Sequence, residues 1–290
     1  LLEIVGEAAN RVPVEVQDRY TDIPWREIIG LRNRLIHGYG AIDLDIVWRI
    51  ITADLPPLIE ALESGAESVV IATDDQRIAE AAEQAGARWV MTSAHHPSGT
   101  DRLAEVAVRL GWPEDAIVVN LQGDEPRMPP ALVRQVAAGL ESHPEAGIAT
   151  ACARIREPAE AFDPNVVKVV RDAGDCALYF SRAPIPWHRE AFGAGREGLT
   201  GLPAGAVWFR HIGLYAYRVE VLRRYPRLAP AMAEQAESLE QLRALWHGIR
   251  IHVTEAAEIP PPGVDTEADL ARVAAELEGS GQKVEGGQLG

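Results

Sequence analysis

Residues 118–126 read Val118-Val119-Asn120-Leu121-Gln122-Gly123-Asp124-Glu125-Pro126, an apolar run that ends in a polar, glycine-containing turn. A short, non-alternating apolar run of this kind marks a strand covered on both faces, as in the interior of a parallel sheet. A carboxylate just past the carboxyl end of such a strand stands on the edge where open α/β sheets bind their ligands. Working outward, the same alternation repeats. Ser68–Thr73 reads as a strand and Asp75–Ala85 as an alanine-rich helix; Trp89–Thr92 is a strand and Asp101–Leu110 a helix; Ala116–Gln122 is a strand and Pro130–Ser142 a helix. Short strands separated by helices of about ten residues predict βαβ units, hence an α/β fold with a mostly parallel, Rossmann-like sheet.

Beyond that core the pattern shifts. From Ile148 to Tyr217 strands lengthen and helices thin out, which predicts an α+β lobe beside the sheet. Helices return at Ala233–Leu245 and Glu267–Leu277, with a strand at Ile251–Glu255 between them, and the glycine-rich stretch 279–290 reads as a flexible tail. Ahead of residue 60 everything reads helical: Leu1–Asn10, Trp25–Ile36, Asp43–Ala53, and a helix opened by Pro56-Pro57 that runs through Leu58–Ser64. The expected organisation is a short all-α segment over 1–60, an α/β domain over 61–278 and the tail.

Composition narrows the function classes. A net charge of −15 argues against a polyanion-binding surface. Only Lys168 and Lys283 are lysines, and neither sits in a GxxxxGK[ST] loop, which excludes a Walker-type ATPase. No apolar run approaches the ~20 residues that span a bilayer, and no signal peptide is visible. Cys152 and Cys176 lie in apolar runs without a CxxC partner and read as core filling, which fits a reducing cytoplasm.

Three strand ends should converge on one edge: Thr73-Asp74-Asp75, Thr92–Thr100 and Gln122–Pro126. In the second of these, Ser98-Gly99-Thr100 suits close approach to a nucleobase, since Gly99 has no side chain. The same residues also read as a plain turn and helix cap. Asp124 is a candidate ligand for Mg²⁺ against triphosphate oxygens, because that ion takes few carboxylates and shares the substrate's phosphates. On its own it reads more readily as a turn residue or helix cap, and the joint pattern favours the ligand. The best second carboxylate is Asp265, in Pro262-Gly263-Val264-Asp265-Thr266, with Thr266 placed to cap the last helix.

From Ala61 to Glu278 the chain resembles the CMP-Kdo synthetases, the 3-deoxy-manno-octulosonate cytidylyltransferases. The resemblance is carried by Ser68–Asp75, Met91–Leu103, Val118–Pro126, Ala177–Trp187, Arg210–Arg218, Leu239–Leu245 and Gly263–Thr266, in that order. It implies transfer of CMP from CTP to Kdo with release of pyrophosphate, Mg²⁺-dependent, for lipopolysaccharide synthesis. It implies Asp124 and Asp265 as metal ligands and catalytic residues together with Arg182. Ser98, Gly99, Thr100 and Gln122 would surround the cytosine and ribose. Arg182, His211, Tyr215, Glu240 and Gln241 would take the sugar acid, whose carboxylate calls for a cation. The family commonly forms homodimers.

One part of the family pattern is missing. Its members open with a strand and a basic glycine loop, close to PARxxSxRLPGKPL, which cradles the triphosphate. That strand lies inside the sheet, so its absence predicts two bare sheet edges and an apolar slot. In its place, residues 1–60 resemble the C-terminal part of HEPN-type ribonuclease toxins of the HepT family. Leu2–Asn10, Ile23–Ile29 and Leu31–Tyr39 carry this likeness, including R-x4-H-x-Y as Arg32, His37 and Tyr39. It implies RNA cleavage with His37 moving a proton and Arg32 stabilising charge, and a nucleotidyltransferase antitoxin as partner, modifying Tyr39. A helix end capped at His37-Gly38 is the plainer reading of those residues. Leu58–Ser64 satisfies both resemblances, which points to a junction between two partial domains. Three functions follow as expectations: a cytidylyltransferase, whose activity hinges on the absent phosphate loop; a ribonuclease toxin; or a non-catalytic remnant of a fusion.

Overall fold

A computed structural model describes residues 66–263, apart from 124, 126, 194, 196, 198 and 262. The helices expected before residue 60, the final helix at Glu267–Leu277 and the tail lie outside the described residues.

The described part opens with β1 (Val70–Thr73), α1 (Gln76–Gln84), β2 (Arg88–Met91) and α2 (Gly99–Arg109). Local chemistry sets these boundaries. The Asp75 carboxylate caps α1 by accepting from Arg77 N at 2.8 Å, and Ser98 caps α2, its Oγ accepting from Asp101 N at 3.2 Å. Asp101 in the first turn and Arg109 in the last complement the helix dipole. β3 (Ile117–Asn120), α3 (Pro130–Ser142) and β4 (Ile148–Arg154) follow, α3 opening on a proline whose missing N–H costs a first turn nothing. Next come α4 (Pro158–Ala161), β5 (Lys168–Arg171), β6 (Ala177–Ser181) and β7 (Phe209–Arg218). α5 (Val219–Arg224), α6 (Met232–Glu237), α7 (Gln241–Trp246) and β8 (Ile251–Glu255) complete the described part.

The sheet is mixed. β1 and β2 pair in parallel, as do β4 and β8, while β7 runs antiparallel to β3, β4 and β5. A loop rather than a crossover helix leads into β7, and without a crossover a strand returns antiparallel. Six strands form one sheet, in the order β6-β5-β7-β4-β8 with β3 on β7, and β1–β2 stand as a separate pair. Among the described residues β1 therefore pairs only with β2, and β3 only with β7. The expectation of bare edges there turns on residues outside the described ones.

Two cores flank β4 and β7, with side chains divided by the period-2 rule. Ile148, Cys152, Tyr215 and Tyr217 face α2 and α5. Ala149, Ala151, Ala153, Leu214 and Ala216 face α3, whose Leu132, Val136 and Leu140 are fully buried against them. Burying each of those α3 side chains contributes ~1.5–3 kcal/mol. Both cysteines are buried and unbridged, and burial pushes the Cys152 thiol up to about 11. They fill core, as read from the sequence. No helix among the described residues is long and apolar enough to cross a membrane.

One expected element is revised. The helix read over Ala233–Leu245 is two helices, α6 and α7, broken at Ser238, which adopts φ 52° and ψ 50°. No glycine or proline marks the break, so periodicity alone ran through it. The break turns Leu239, Glu240 and Gln241 toward the cavity described next.

Candidate active site

The site is built where strands end. At the end of β3, Gln122 approaches the start of α2 so closely that a Cβ on Gly99 would lie 3.1 Å from Gln122 Nε2 and 3.7 Å from Asn120 Nδ2. A side chain at position 99 would therefore displace the Gln122 amide, independently of any ligand. Ser98 is committed to its cap, its hydroxyl donating to Asp101 Oδ2 at 2.7 Å. Thr100 is buried at 1 % exposure. Its Oγ1 donates to Glu240 Oε1 at 3.1 Å and lies 3.2 Å from Tyr217 OH. Thr100 therefore points inward and joins the α2 turn to Glu240, leaving Gln122 and the Ser98-Gly99 backbone as the open part of that turn.

A cavity of about 300 Å³ lies beside this turn, lined by Gln122, Glu125, Val167, His211, Gly213, Tyr215, Ser238, Leu239, Glu240 and Gln241. Four of the five residues assigned to the sugar acid meet in it. Arg182 is the exception. Its Nε donates to Glu237 O at 2.7 Å and its Nη1 to Pro164 O at 3.0 Å, and it is absent from the cavity wall. The lobe holds that arginine through Glu237, whose carboxylate accepts from Ser181 Oγ at 2.6 Å and Arg182 N at 2.9 Å. Asp124 and Asp265 lie outside the described residues, as do Arg32, His37 and Tyr39. The chain neighbours Gln122 and Glu125 of Asp124 both line the cavity. Among the described residues no group of three or more metal-type ligands assembles.

Burial shapes the electrostatics. It raises the Glu240 carboxyl above its ordinary value, and the Ser98 and Thr100 hydroxyls only partly oppose this. It lowers the His211 imidazole to about 3, so the ring is neutral near pH 7. Tyr215 and Tyr217 are pushed well above the usual phenol range, again chiefly by burial. The cavity thus combines the neutral imidazole of His211 and the phenol of Tyr215 with the Glu240 and Glu125 carboxyls and the Gln122 and Gln241 amides, polar groups suited to hydroxyls.

Several contributors escaped sequence reading. Asn120 Nδ2 is buried without a hydrogen-bond acceptor, an orphan donor beside Gly99 at the start of α2. It was visible as the one polar residue inside the strand run. Thr150, Gly213 and Ser238 act through backbone geometry that no local motif announces.

The family model described as Cytidylyltransferase matches residues 57–251, and that described as Ribonuclease HepT-like matches residues 1–64. The 3-deoxy-manno-octulosonate cytidylyltransferase of Nitrosococcus oceani is 52% identical over 239 residues, covering 81% of this chain and 92% of the relative. Its counterpart in Pseudomonas syringae pv. syringae is 56% identical over 220 residues, 76% of this chain and 85% of the relative. A solved CMP:2-keto-3-deoxy-manno-octonic acid synthetase complexed with CTP superposes with a TM-score of 0.67 at 41% identity, over 77% of this chain and 86% of that one.

Proposed function

Because this chain belongs to the cytidylyltransferase family, we propose that it transfers CMP from CTP to 3-deoxy-manno-octulosonate and releases pyrophosphate, serving lipopolysaccharide synthesis. The observation that carries this reading is the meeting of Gln122, His211, Tyr215, Glu240 and Gln241 on one cavity at the strand ends. A polyhydroxylated acid is matched there by hydrogen-bonding side chains, and the nucleotide turn adjoins it.

In this mechanism the chain binds and orients. The Gly99–Gln122 approach shapes the base-binding turn, and Glu240, held by the Thr100 hydroxyl, presents its carboxyl to the sugar cavity. The sugar hydroxyl oxygen bonds to the α-phosphorus as the bond to pyrophosphate breaks, and its proton leaves to water. Positioning of the two reactants supplies most of the rate. Mg²⁺, held by the hard carboxylate oxygens of Asp124 and Asp265, would neutralise the triphosphate. We propose a cytoplasmic homodimer.

The test is pyrophosphate release from CTP, Kdo and Mg²⁺ by the full chain, with CTP and CMP affinities measured separately. Release above background, with CTP bound more tightly than CMP, supports the enzyme. Equal, weak binding of both without release sinks it and leaves a non-catalytic remnant. A second activity rests on the match over residues 1–64: RNA cleavage through Arg32 and His37, with an antitoxin acting on Tyr39. Cleavage that persists in His37→Ala would overturn that one.

A further inference from the structure

Thr150 is fully buried in the middle of β4, at the point where the pairing with β7 slips. Thr150 faces Tyr215 while Ala151 faces Ile212, so Gly213 and Leu214 bulge out of register. Bulges re-aim side chains, and here the re-aimed groups meet one hydroxyl. Thr150 Oγ1 lies 3.1 Å from Ile212 O, 2.8 Å from Leu214 O and 2.9 Å from His211 Nε2.

A threonine hydroxyl has one proton to give. Both carbonyls can only accept, so that proton goes to one of them. Toward the imidazole the oxygen is left with lone pairs, and His211 must donate through Nε2–H. A neutral imidazole protonated at Nε2 bears its lone pair on Nδ1. The ring is neutral by burial, and the edge of Phe180 at 5.1 Å and tilted Tyr215 at 5.2 Å hold its plane. His211 lines the cavity, and Nδ1 is the ring nitrogen that Thr150 does not engage.

We propose that Thr150 is a positioning residue that fixes the tautomer of His211, making the imidazole an acceptor for a ligand hydroxyl rather than a cation for the ligand carboxylate. The identity of that hydroxyl rests on the Kdo reading above; the tautomer does not. The subsite therefore discriminates by donor capacity, and a ligand with an ether or fluorine in place of that hydroxyl is refused.

Imidazole ¹⁵N spectra of the ligand-free full chain, with His211 assigned by His211→Gln, read the tautomer directly. The expected pattern is a protonated Nε2 and an unprotonated Nδ1 in the parent and in Thr150→Ser, and a mixed tautomer in Thr150→Val. A protonated Nδ1 in the parent, or an unchanged tautomer in a folded Thr150→Val, overturns the proposal. A second arm compares Kdo with analogues bearing a fluorine or methoxy group at one hydroxyl. One analogue should bind about tenfold more weakly than Kdo, the worth of one hydrogen bond, and Thr150→Val should erase that penalty. A penalty untouched by Thr150→Val overturns the proposal. Failure of Kdo itself to bind removes the functional reading, and the tautomer is then judged on the spectra.

Discussion

Thr100 and Glu240, which begin different helices 140 positions apart, are joined by a 3.1 Å hydrogen bond between hydroxyl and carboxyl. Tyr217 OH lies 3.2 Å from the same threonine oxygen, and Tyr225 OH donates to Glu240 O at 2.7 Å. The turn that opens α2 and the cavity lined by Glu240 thus share one buried network, and a change in Glu240 is felt on both sides.

Glu240 carries a pH signature. Its carboxyl is raised on folding, chiefly by burial, so the folded chain binds this proton more tightly than the unfolded one. The stabilisation is complete below the unfolded carboxylate value, about 4.3, and is lost as pH rises through the folded one. Glu240→Gln should flatten that part of the stability curve. Thermal melts across a pH series check it, and an unchanged slope counts against the buried carboxyl.

Lys168 is fully buried at the start of β5. Its Nζ donates to Asp163 O at 2.8 Å, Val166 O at 2.5 Å and Arg182 O at 2.6 Å. Lys168→Met leaves three carbonyls without their donor, and a loss of ~3 kcal/mol is expected in chemical denaturation. A loss under about 1 kcal/mol would mean that water replaces the ammonium readily.

Gly99→Ala brings a Cβ to 3.1 Å from the Gln122 amide. The amide must shift, so CMP affinity should fall about tenfold while the melting temperature moves by only a few degrees. Calorimetric titration with CMP measures the first and a thermal scan the second. Unchanged affinity would remove Gln122 from the nucleotide turn.

Asn120 offers the converse trade. Its Nδ2 is buried without an acceptor, a cost borne in the free protein. Asn120→Leu should therefore leave the unliganded fold as stable or up to about 1 kcal/mol more stable, while CMP binds more weakly. Equal CMP affinity in the two proteins would show that the orphan amide serves no ligand.

Gly147 sits where β4 begins, and a Cβ there would lie 2.7 Å from Val221 Cγ2 and 3.0 Å from Ile249 Cγ2. Gly147→Ala forces the β4–α5 packing apart and should cost ~1–3 kcal/mol. A denaturation midpoint equal to the parent's would show that this core gives way freely.

Much of this architecture was legible because its signals are local. Pro130 at a helix start and the apolar run Ile251–Glu255 gave α3 and β8 their observed bounds. The end of β3 showed itself through polar residues after an apolar strand. The direction of β7 did not, because a strand's orientation is set by partners far along the chain. Ser238 did not either, since a left-handed serine leaves no compositional trace. The cavity residues His211, Tyr215, Glu240 and Gln241 were identified through resemblance, whereas Thr150 became visible only once the β4–β7 register was known.

The separate β1–β2 pair has a consequence for handling the protein. Among the described residues, the flanks of β1 and β3 that face away from their partners carry peptide groups with no ladder to join, beside half-buried Ile71, Val118 and Val119. Such flanks recruit extended strands from other molecules. Left uncovered, these flanks make association grow steeply with protein concentration, which sets a ceiling on how concentrated a sample stays dispersed.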